Sequence, residues 1–467
     1  MKGKPAVGPI NPDDLSDDDK KKALEAVNLI AEKRNGDLKG RTCANGKKQR
    51  KFVKEGEILS SPTVSLESIL LTLVIDAYEG RHTMIADVPG AYLHAEMPPG
   101  KRVLLRLVGK FVDIMCEVNP EYNKHVRYER GVKVLYVQVL RALYGCLESA
   151  LLWYNLYSTT LVSLGFELNP YDLCVANKII EGSQCTVAFY VDDNKISHKN
   201  PKVVEQVIQE IEKHFGKLTV STPNEFDFLG MDIKLRSDRK VQIKMEKQIQ
   251  EALDWFGEKI TESPVTPANK NLFVVSNKAR ELNKERSDTF HSVVAKLLYI
   301  AKRARPDIES SVAFLCTRVA YSTEEDWLKL RRVLAYLKST IEYDRIIGAA
   351  TLQELYTWID AAYGVHSVDL KSHTGGTMSL GTGVLHQKSS KQKLNVKSST
   401  EAEIVGVSEY IPYNLWAYNF MDAQGYKLSD NILFQDNQSA IKMETNGRRS
   451  CTGNSRHVNI RYFLLKI

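Results

Sequence analysis

The sequence predicts a multidomain protein of the α/β class, in the α+β sense of separate mixed domains, and three observations predict it. At 467 residues the chain exceeds one ordinary core, so two or three domains are expected. Between Ser60 and about Gly257, strand-like and helix-like segments alternate. From Leu352 the pattern starts afresh with a strand, a glycine-rich hairpin region and a long helix.

Residues 16–34, with Ala23, Leu24, Ala26, Val27, Ile30 and Ala31, predict an amphipathic helix capped by Ser16 and ended by Gly36. The clearest helix is 201–215. Asn200 caps it, Pro201 fits its first turn, Val204, Val207, Ile208, Ile211 and Phe215 form one face, and Gly216 stops it. Residues 262–290, rich in proline and asparagine, predict a linker. Residues 291–342 read as helical with a break at Arg305-Pro306. Beyond Leu352, a strand ends at Asp360, and glycines 375, 376, 381 and 383 mark hairpins. A helix opens at Ser398-Ser399-Thr400-Glu401, and a strand at 432–435 leads through Asp436-Asn437 into another helix.

Apolar content of 43% and charged content of 26% are those of a soluble globular chain. No apolar run has bilayer length, and the N-terminus is polar and acidic, unlike a signal peptide. No membrane partner and no secretion are therefore expected. The seven cysteines are scattered without a Cys-x-x-Cys pair, which argues against a disulfide framework and structural zinc. The net charge of +7 is unevenly spread. Three stretches (39–54, 370–400 and 446–461) are basic and free of acid, the pattern of a chain that meets a polyanion.

The most informative stretch is Tyr190-Val191-Asp192-Asp193. An apolar run, Thr186 to Phe189, precedes it and an alternating segment, Lys195 to His198, follows, so it reads as a hairpin whose turn carries two carboxylates. Such a pair is ordinary turn chemistry, or it is a seat for a divalent cation held by oxygen. A partner carboxylate is available at a second strand end, Asp87, after His82 to Ala86.

The order of motifs resembles copia-type retrotransposon reverse transcriptases. It runs from Asp87-Val88-Pro89-Gly90-Ala91-Tyr92 through Ala142-Leu143-Tyr144-Gly145, Trp153-Tyr154 and Ser163 to Phe166. Tyr190 to Asp193, Phe228-Leu229-Gly230, Leu298 to Ala301 and Arg305-Pro306-Asp307-Ile308 follow. The resemblance implies fingers and a ferredoxin-like palm, a helical thumb and connection, then a ribonuclease H-like α/β domain. The divisions expected are 1–36 (the amphipathic helix region), 37–261 (fingers and palm), 262–350 (linker and thumb or connection) and 351–467 (ribonuclease H-like).

By the same resemblance, Asp87 and Asp192 are metal ligands and Asp193 a neighbouring carboxylate, with two Mg2+ per site and Mn2+ as substitute. Tyr92 closes off the sugar 2′ side and favours deoxynucleotides. Arg41, Lys48 and Arg50 resemble the finger residues that hold the triphosphate. Glu148 departs from the family, which carries glutamine there for the incoming nucleotide. A carboxylate cannot donate as an amide does, and it repels a triphosphate unless paired.

In the C-terminal part Asp360, first-turn Glu403 and Asp436 each have a local explanation as strand-end or helix-start acids. Together with Ser399 to Glu403 and Asp436 to Ala440 they resemble a ribonuclease H site, again with divalent metal. The lysines of 388–397 could then serve the grip on the duplex. The family's further acidic residue lies beyond Arg456 to Ile460, and the sequence stops at Ile467. Impaired ribonuclease H activity is therefore expected.

The leading reading is an RNA-directed DNA polymerase with an attached, C-terminally truncated ribonuclease H domain. Its partners are RNA template, DNA primer and product, RNA–DNA hybrid and deoxynucleoside triphosphates. Its setting is intracellular: cytoplasmic, in particles, and the nucleus. A decayed remnant that binds nucleic acid without catalysis is the alternative, motivated by Glu148 and the C-terminal end. An RNA-dependent RNA polymerase shares the palm, but Tyr92 and the trailing domain speak against it. Oligomeric state is not legible.

Overall fold

The computed structural model describes residues 5–32, 38–53 and 56–446. The third basic run lies outside these residues except for Asn446, as does Lys54 of the first.

The N-terminal sheet orders its strands Val7–Pro9, Val132–Val139, Leu104–Val108, Leu24–Glu32 and Leu38–Ala44, with Arg127–Glu129 paired to Val132–Val139. The amphipathic helix predicted over 16–34 is therefore corrected. Only Asp17–Lys22 is helical, closed by a reciprocal cap between Ser16 and Asp19. From Leu24 the chain is a strand, antiparallel to Leu38–Ala44 and parallel to Leu104–Val108. The helical spacing was coincidental: Leu24 packs in the core of this sheet, while Val27, Leu29 and Ile30 stay exposed. Sheet pairing overrides a short local pattern, and β-branched Val27 and Ile30 suit it.

The second sheet has the order Thr219–Val220, His82–Asp87, Asp193–His198, Ser183–Tyr190, Asp172–Ile180, Glu167–Asn169. Helix Leu66–Glu79 packs behind it, capped by Ser65 and ended by Gly80 in the left-handed region. Asp76 of that helix is fully buried, paired with Lys195 and accepting from Ser197 Oγ at 2.6 Å. A buried charge is tolerable only with such partners. The helix 201–215 forms as predicted, with Asn200 accepting from the Lys202 amide and the predicted apolar face buried.

After the coil through 262–283, three helices follow: Lys284–Arg303, Glu309–Cys316 and Glu324–Ser339. The break falls at Arg305-Pro306 as expected. A third sheet joins Glu225–Phe228, Met231–Leu235, Lys240–Lys244, Arg345–Ala349 and Gly381–Thr382.

The fourth sheet has the order His386–Lys391, His373–Ser379, Glu354–Ala362, Asp430–Phe434, with the last two strands parallel. Three antiparallel strands with a parallel fourth beside the first is the arrangement expected of a ribonuclease H-like domain. Helix Ser399–Ala423 covers one face. It approaches so closely that a Cβ on Gly376 would lie 2.2 Å from the Tyr410 ring. One continuous apolar core runs through the palm, the helical region and this domain, including Ala417, Phe420, Met421 and Leu428. No helix among the described residues is long and apolar enough to cross a membrane.

Candidate functional site

Asp87 and Asp193 face each other across adjacent antiparallel strands. Tyr190 pairs with Asp193, so the hairpin turn consists of Val191 and Asp192 alone. The turn thus carries one of the two carboxylates, while Asp193 opens the returning strand. Val191 has φ of 55°, which for a β-branched residue costs on the order of 1–3 kcal/mol. Three hydrogen bonds hold it there. Trp153 Nε1 donates to the Val191 carbonyl at 2.6 Å, and the Asp192 carbonyl accepts from Val88 N at 2.9 Å and Asn194 Nδ2 at 3.0 Å. Trp153 is itself buried, stacked on Tyr157 and edge-on to Phe215.

The charges interact as their crowding demands. Burial, then Asp192, Asp87 and Asp227, push the Asp193 carboxyl up to about 6. Asp227, on strand Glu225–Phe228, is a further acid of this cluster that sequence reasoning missed. It lies outside the motif spacing, and only the meeting of two sheets brings it near.

Tyr92 sits in the short turn Ala91–His94, its ring centroid 4.6 Å from that of Tyr144. Burial, then Asp192 and Tyr190, raise its phenol pKa. It lines a cavity of about 340 Å³ with Pro62, Trp153, Tyr154, Phe189 and Tyr190.

The fingers residues are more scattered. Arg41 lies on strand Leu38–Ala44, and Arg50 is exposed on the turn Gln49–Phe52. Lys48 Nζ donates to the Ala23 carbonyl at 3.2 Å. Glu148 is only 4% exposed and is paired. Gln49 Nε2 donates to its Oε2 at 2.5 Å, and Lys101 Nζ lies 3.5 Å from its Oε1. That second contact is an ion pair too long for a good hydrogen bond, and Oε1 has no hydrogen-bond partner among the described residues. Gln49 Oε1 also accepts from Leu147 N at 3.0 Å. Neither Gln49 nor Lys101 carried a motif.

The second set converges more tightly. Among the described residues, the acids able to offer three ligand atoms within 4.8 Å of one another are Asp360, Glu403 and Asp436. Asp360 lies within strand Glu354–Ala362, opposite Gly375, rather than at its end. Glu403 is in the second turn of its helix, not the first as predicted, because Ser398 caps on Glu401. It is buried, and its pKa is raised by burial despite the Gln435 amide donating to it at 3.2 Å. Asp436 follows strand Asp430–Phe434, and Asn437 caps the helix Gln438–Asn446 by accepting from the amides of Ser439 and Ala440. A cavity of about 690 Å³ opens on Asp360 and Asp436, floored by Trp358 stacked on Phe434 and bordered by Lys388.

The sequence profile of the family described as "Reverse transcriptase (RNA-dependent DNA polymerase)" matches residues 20–270, more than half of the sequence. The chain belongs to the reverse transcriptase family. It is 24% identical over 458 residues to the retrovirus-related Pol polyprotein from transposon TNT 1-94 of Nicotiana tabacum, covering 96% of this chain and 33% of that protein. It is 26% identical over 277 residues to the putative transposon Ty5-1 protein of Saccharomyces cerevisiae, covering 58% of this chain and 86% of that protein. The chain thus spans about a third of the tobacco polyprotein, and the resemblance to copia-type retrotransposon polyproteins is borne out. In fold, this reverse transcriptase family member is similar to the foamy viral protease-reverse transcriptase dRH solved in complex with double-stranded DNA. The TM-score is 0.52 at 11% identity, over 94% of this chain and 63% of that one.

Proposed function

We propose that this chain is an RNA-directed DNA polymerase that extends a DNA primer on an RNA template with deoxynucleoside triphosphates. Its C-terminal domain hydrolyses the RNA strand of RNA–DNA hybrids. The observation that carries the reading is the palm register: Asp87 opposite Asp193, with Asp192 in a turn pinned from three sides. Groups so fixed meet a reacting phosphorus with little reorganisation.

The donor set fits hard divalent cations. Carboxylates crowded enough to push the Asp193 carboxyl up favour a cation beside them, and oxygen-only ligands suit magnesium, with manganese as substitute. When bound, these ions supply the charge that activates the primer hydroxyl and offsets that on the leaving pyrophosphate. The chain's own residues do the rest. Asp87 and Asp192 provide ligand oxygens, and Asp193 moderates the local charge. Tyr92, beside Asp192, narrows the sugar site against a 2′-hydroxyl. In the second site Asp360, Glu403 and Asp436 provide the oxygens, and Lys388 to Lys397 meet the duplex backbone, so little sequence preference follows. The working place is intracellular, in cytoplasmic particles and the nucleus.

The non-catalytic alternative drew on Glu148. Its pairing with Gln49 and Lys101 removes the argument that an unpaired carboxylate repels the triphosphate.

Primer extension on an RNA template with deoxynucleotides and magnesium tests the first site, comparing wild type with Asp192→Asn. Extension by wild type alone is expected. No extension by wild type sinks the polymerase reading, and equal extension sinks the site. Degradation of a labelled RNA–DNA hybrid by wild type but not Asp360→Asn is the counterpart for the second.

A further inference from the structure

One row of the fourth sheet joins the acid cluster to a second polar feature of the same cavity. Asp360 pairs with Gly375, and Gly375 pairs with Ser389 on the next strand. Paired residues share a face of the sheet. Ile359 and Gly376 face Tyr410 of the long helix, so Asp360, Gly375 and Ser389 lie on the opposite face, where they line the cavity. Two strand spacings, about 10 Å, separate the backbones of Asp360 and Ser389. Between them Gly375 leaves a bare floor. A Cβ there would meet nothing nearer than the Asp360 carbonyl at 3.9 Å, and its φ lies outside the left-handed region. Neither packing nor backbone conformation calls for glycine at this position, in contrast with Gly376.

The far side of this floor ends in a hydroxyl whose direction is set from behind. His373 Nε2 lies 2.6 Å from Ser389 Oγ, and His366 Nε2 lies 3.1 Å from His373 Nδ1. Both rings are buried, Phe273 packs on both, and burial pushes each imidazole down to about 4. A neutral ring carries one N–H, so the chain of bonds runs one way. Ser389 donates to Ser310 Oγ at 3.3 Å, so its oxygen accepts from His373 Nε2 and His373 Nδ1 accepts from His366. The Ser389 proton is thereby turned toward the cavity wall, where its bond to Ser310 is a long one. The acids of that wall are already answered, Asp307 by Arg305 at 2.7 Å and Glu309 by Lys302 at 2.5 Å. Lys388, next to Ser389, lies over the Tyr413 ring at 4.8 Å and forms no ion pair among the described residues.

We infer that the bare floor at Gly375 and the Ser389 hydroxyl form a subsite for a backbone phosphate of the nucleic-acid strand bound at the acid cluster. The inference rests on the ribonuclease H reading of that cluster. A hydroxyl fixed as a donor suits an oxygen that only accepts, as phosphate oxygens do, and it carries no preference among bases. The missing side chain at Gly375 lets the strand come down onto the sheet. His373 is a positioning residue, and His366 fixes its tautomer.

Disulfide trapping in the full chain tests this. Gly375→Cys puts a thiol on the floor. An RNA–DNA hybrid carries one phosphate-tethered thiol, moved linkage by linkage along each strand, with calcium in place of magnesium. Trapping is expected at a narrow run of linkages on one strand, and not in the chain that keeps Gly375. Adding Ser389→Ala, in a chain that circular dichroism shows folded, is expected to slow trapping about 10-fold, the loss of one hydrogen bond to a charged group. Ser389→Thr, which keeps the hydroxyl, should restore it. His373→Gln, whose amide donates as the ring nitrogen does, should trap faster than His373→Leu, and equal rates would make His373 a packing residue only. Trapping spread evenly over all linkages overturns the subsite, and an unchanged rate in Ser389→Ala overturns the role of its hydroxyl. Hybrid degradation by the wild-type chain in magnesium is measured alongside. Degradation without trapping rejects the subsite and leaves the ribonuclease H reading standing. Trapping at a narrow run of linkages without degradation rejects that reading and leaves the phosphate subsite. Absence of both rejects both.

Discussion

Gln49 and Glu148 are 99 positions apart in sequence and share a hydrogen bond that ties the fingers to the residue immediately before the palm helix Ser149–Ser163. Around it, Gln49 Oε1 takes the Leu147 amide, and Lys101 reaches both Glu148 and Glu57, the latter at 2.6 Å. Glu148 is thus the centre of a clamp and not a free side chain facing a nucleotide. Glu148→Ala is expected to destabilise the chain by about 1–2 kcal/mol by removing one buried charged acceptor. It should also raise KM for deoxynucleotide more than it lowers kcat. Glu148→Gln, which can still accept from Gln49, should lose less than half as much. Urea unfolding and steady-state extension check this, and an Ala variant with wild-type stability would refute the clamp.

Trp153 and the hairpin turn make a second prediction. The indole N–H is one of the three donors that hold the turn with Val191 in the left-handed region, and the one bonded to Val191 itself. Trp153→Phe keeps the stacking on Tyr157 in large part but loses that donor, at a cost of about 1–3 kcal/mol for a carbonyl left without its partner. Because the turn carries Asp192, kcat should fall at least 10-fold while primer–template affinity changes little. Stopped-flow single-nucleotide incorporation against filter binding separates the two. A fall in affinity with kcat intact would contradict the argument.

How much of this was legible in the sequence depends on how local the cause was. The Asn200-capped helix and the Tyr190–Asp193 hairpin were readable, since caps, alternation and turn residues act over a few positions. The strand Leu24–Glu32 was not, because its conformation is set by two distant partners, Leu38–Ala44 and Leu104–Val108. Glu403 was placed a turn too early because the cap is Ser398, which fixes the helix phase. Lys101 and Asp227 escaped notice for one reason. Each gains its charge partners only when two elements remote in sequence meet, and nothing in their immediate neighbours signals it.

Asp193 predicts a pH dependence. Its carboxyl is raised to about 6 in the folded chain, from an ordinary value of 3.8. A raised carboxyl favours folding while protonated, so its contribution is fully present below 3.8 and is lost as pH rises through about 6. In chelator, Asp193→Asn should match wild type in melting temperature near the lower value and exceed it above the higher one. Magnesium should narrow the gap by relieving the same repulsion. Melting curves across this window check the sign, and a constant difference at all pH values would rule the repulsion out.

Tyr92 bears on sugar selection. Its ring lies against Tyr144 at the edge of the cavity beside Tyr190. Tyr92→Ala opens that wall. Discrimination against ribonucleotides, measured as the ratio of kcat/KM values, should fall about 10–200-fold, the scale of a small steric difference in a pocket. Tyr92→Phe keeps the wall and should discriminate as wild type does. Equal discrimination by Tyr92→Ala and wild type would move the sugar gate elsewhere.

Tyr426 links the C-terminal domain to the palm. Its hydroxyl accepts from Arg81 Nη2 at 2.6 Å and donates to Glu79 Oε1 at 3.0 Å, while Arg81 is also 3.7 Å from buried Asp76. Alongside, Gln184 Nε2 donates to the Gln424 carbonyl at 2.8 Å, and Trp416 Nε1 to the Tyr171 carbonyl at 3.1 Å. With Phe420, Met421 and Leu428 in the palm's own core, the two parts share much of their interior, beside small clusters of the C-terminal domain such as Ile359, Val407 and Tyr410. Thermal unfolding should therefore show one cooperative transition, although the chain carries two sites. Tyr426→Phe leaves Arg81 and Glu79 each short of a partner in a buried setting and should cost about 1–3 kcal/mol. The variant should still melt in one step, at a lower temperature, by calorimetry. Two resolved transitions in wild type would mean that the shared core does not couple them.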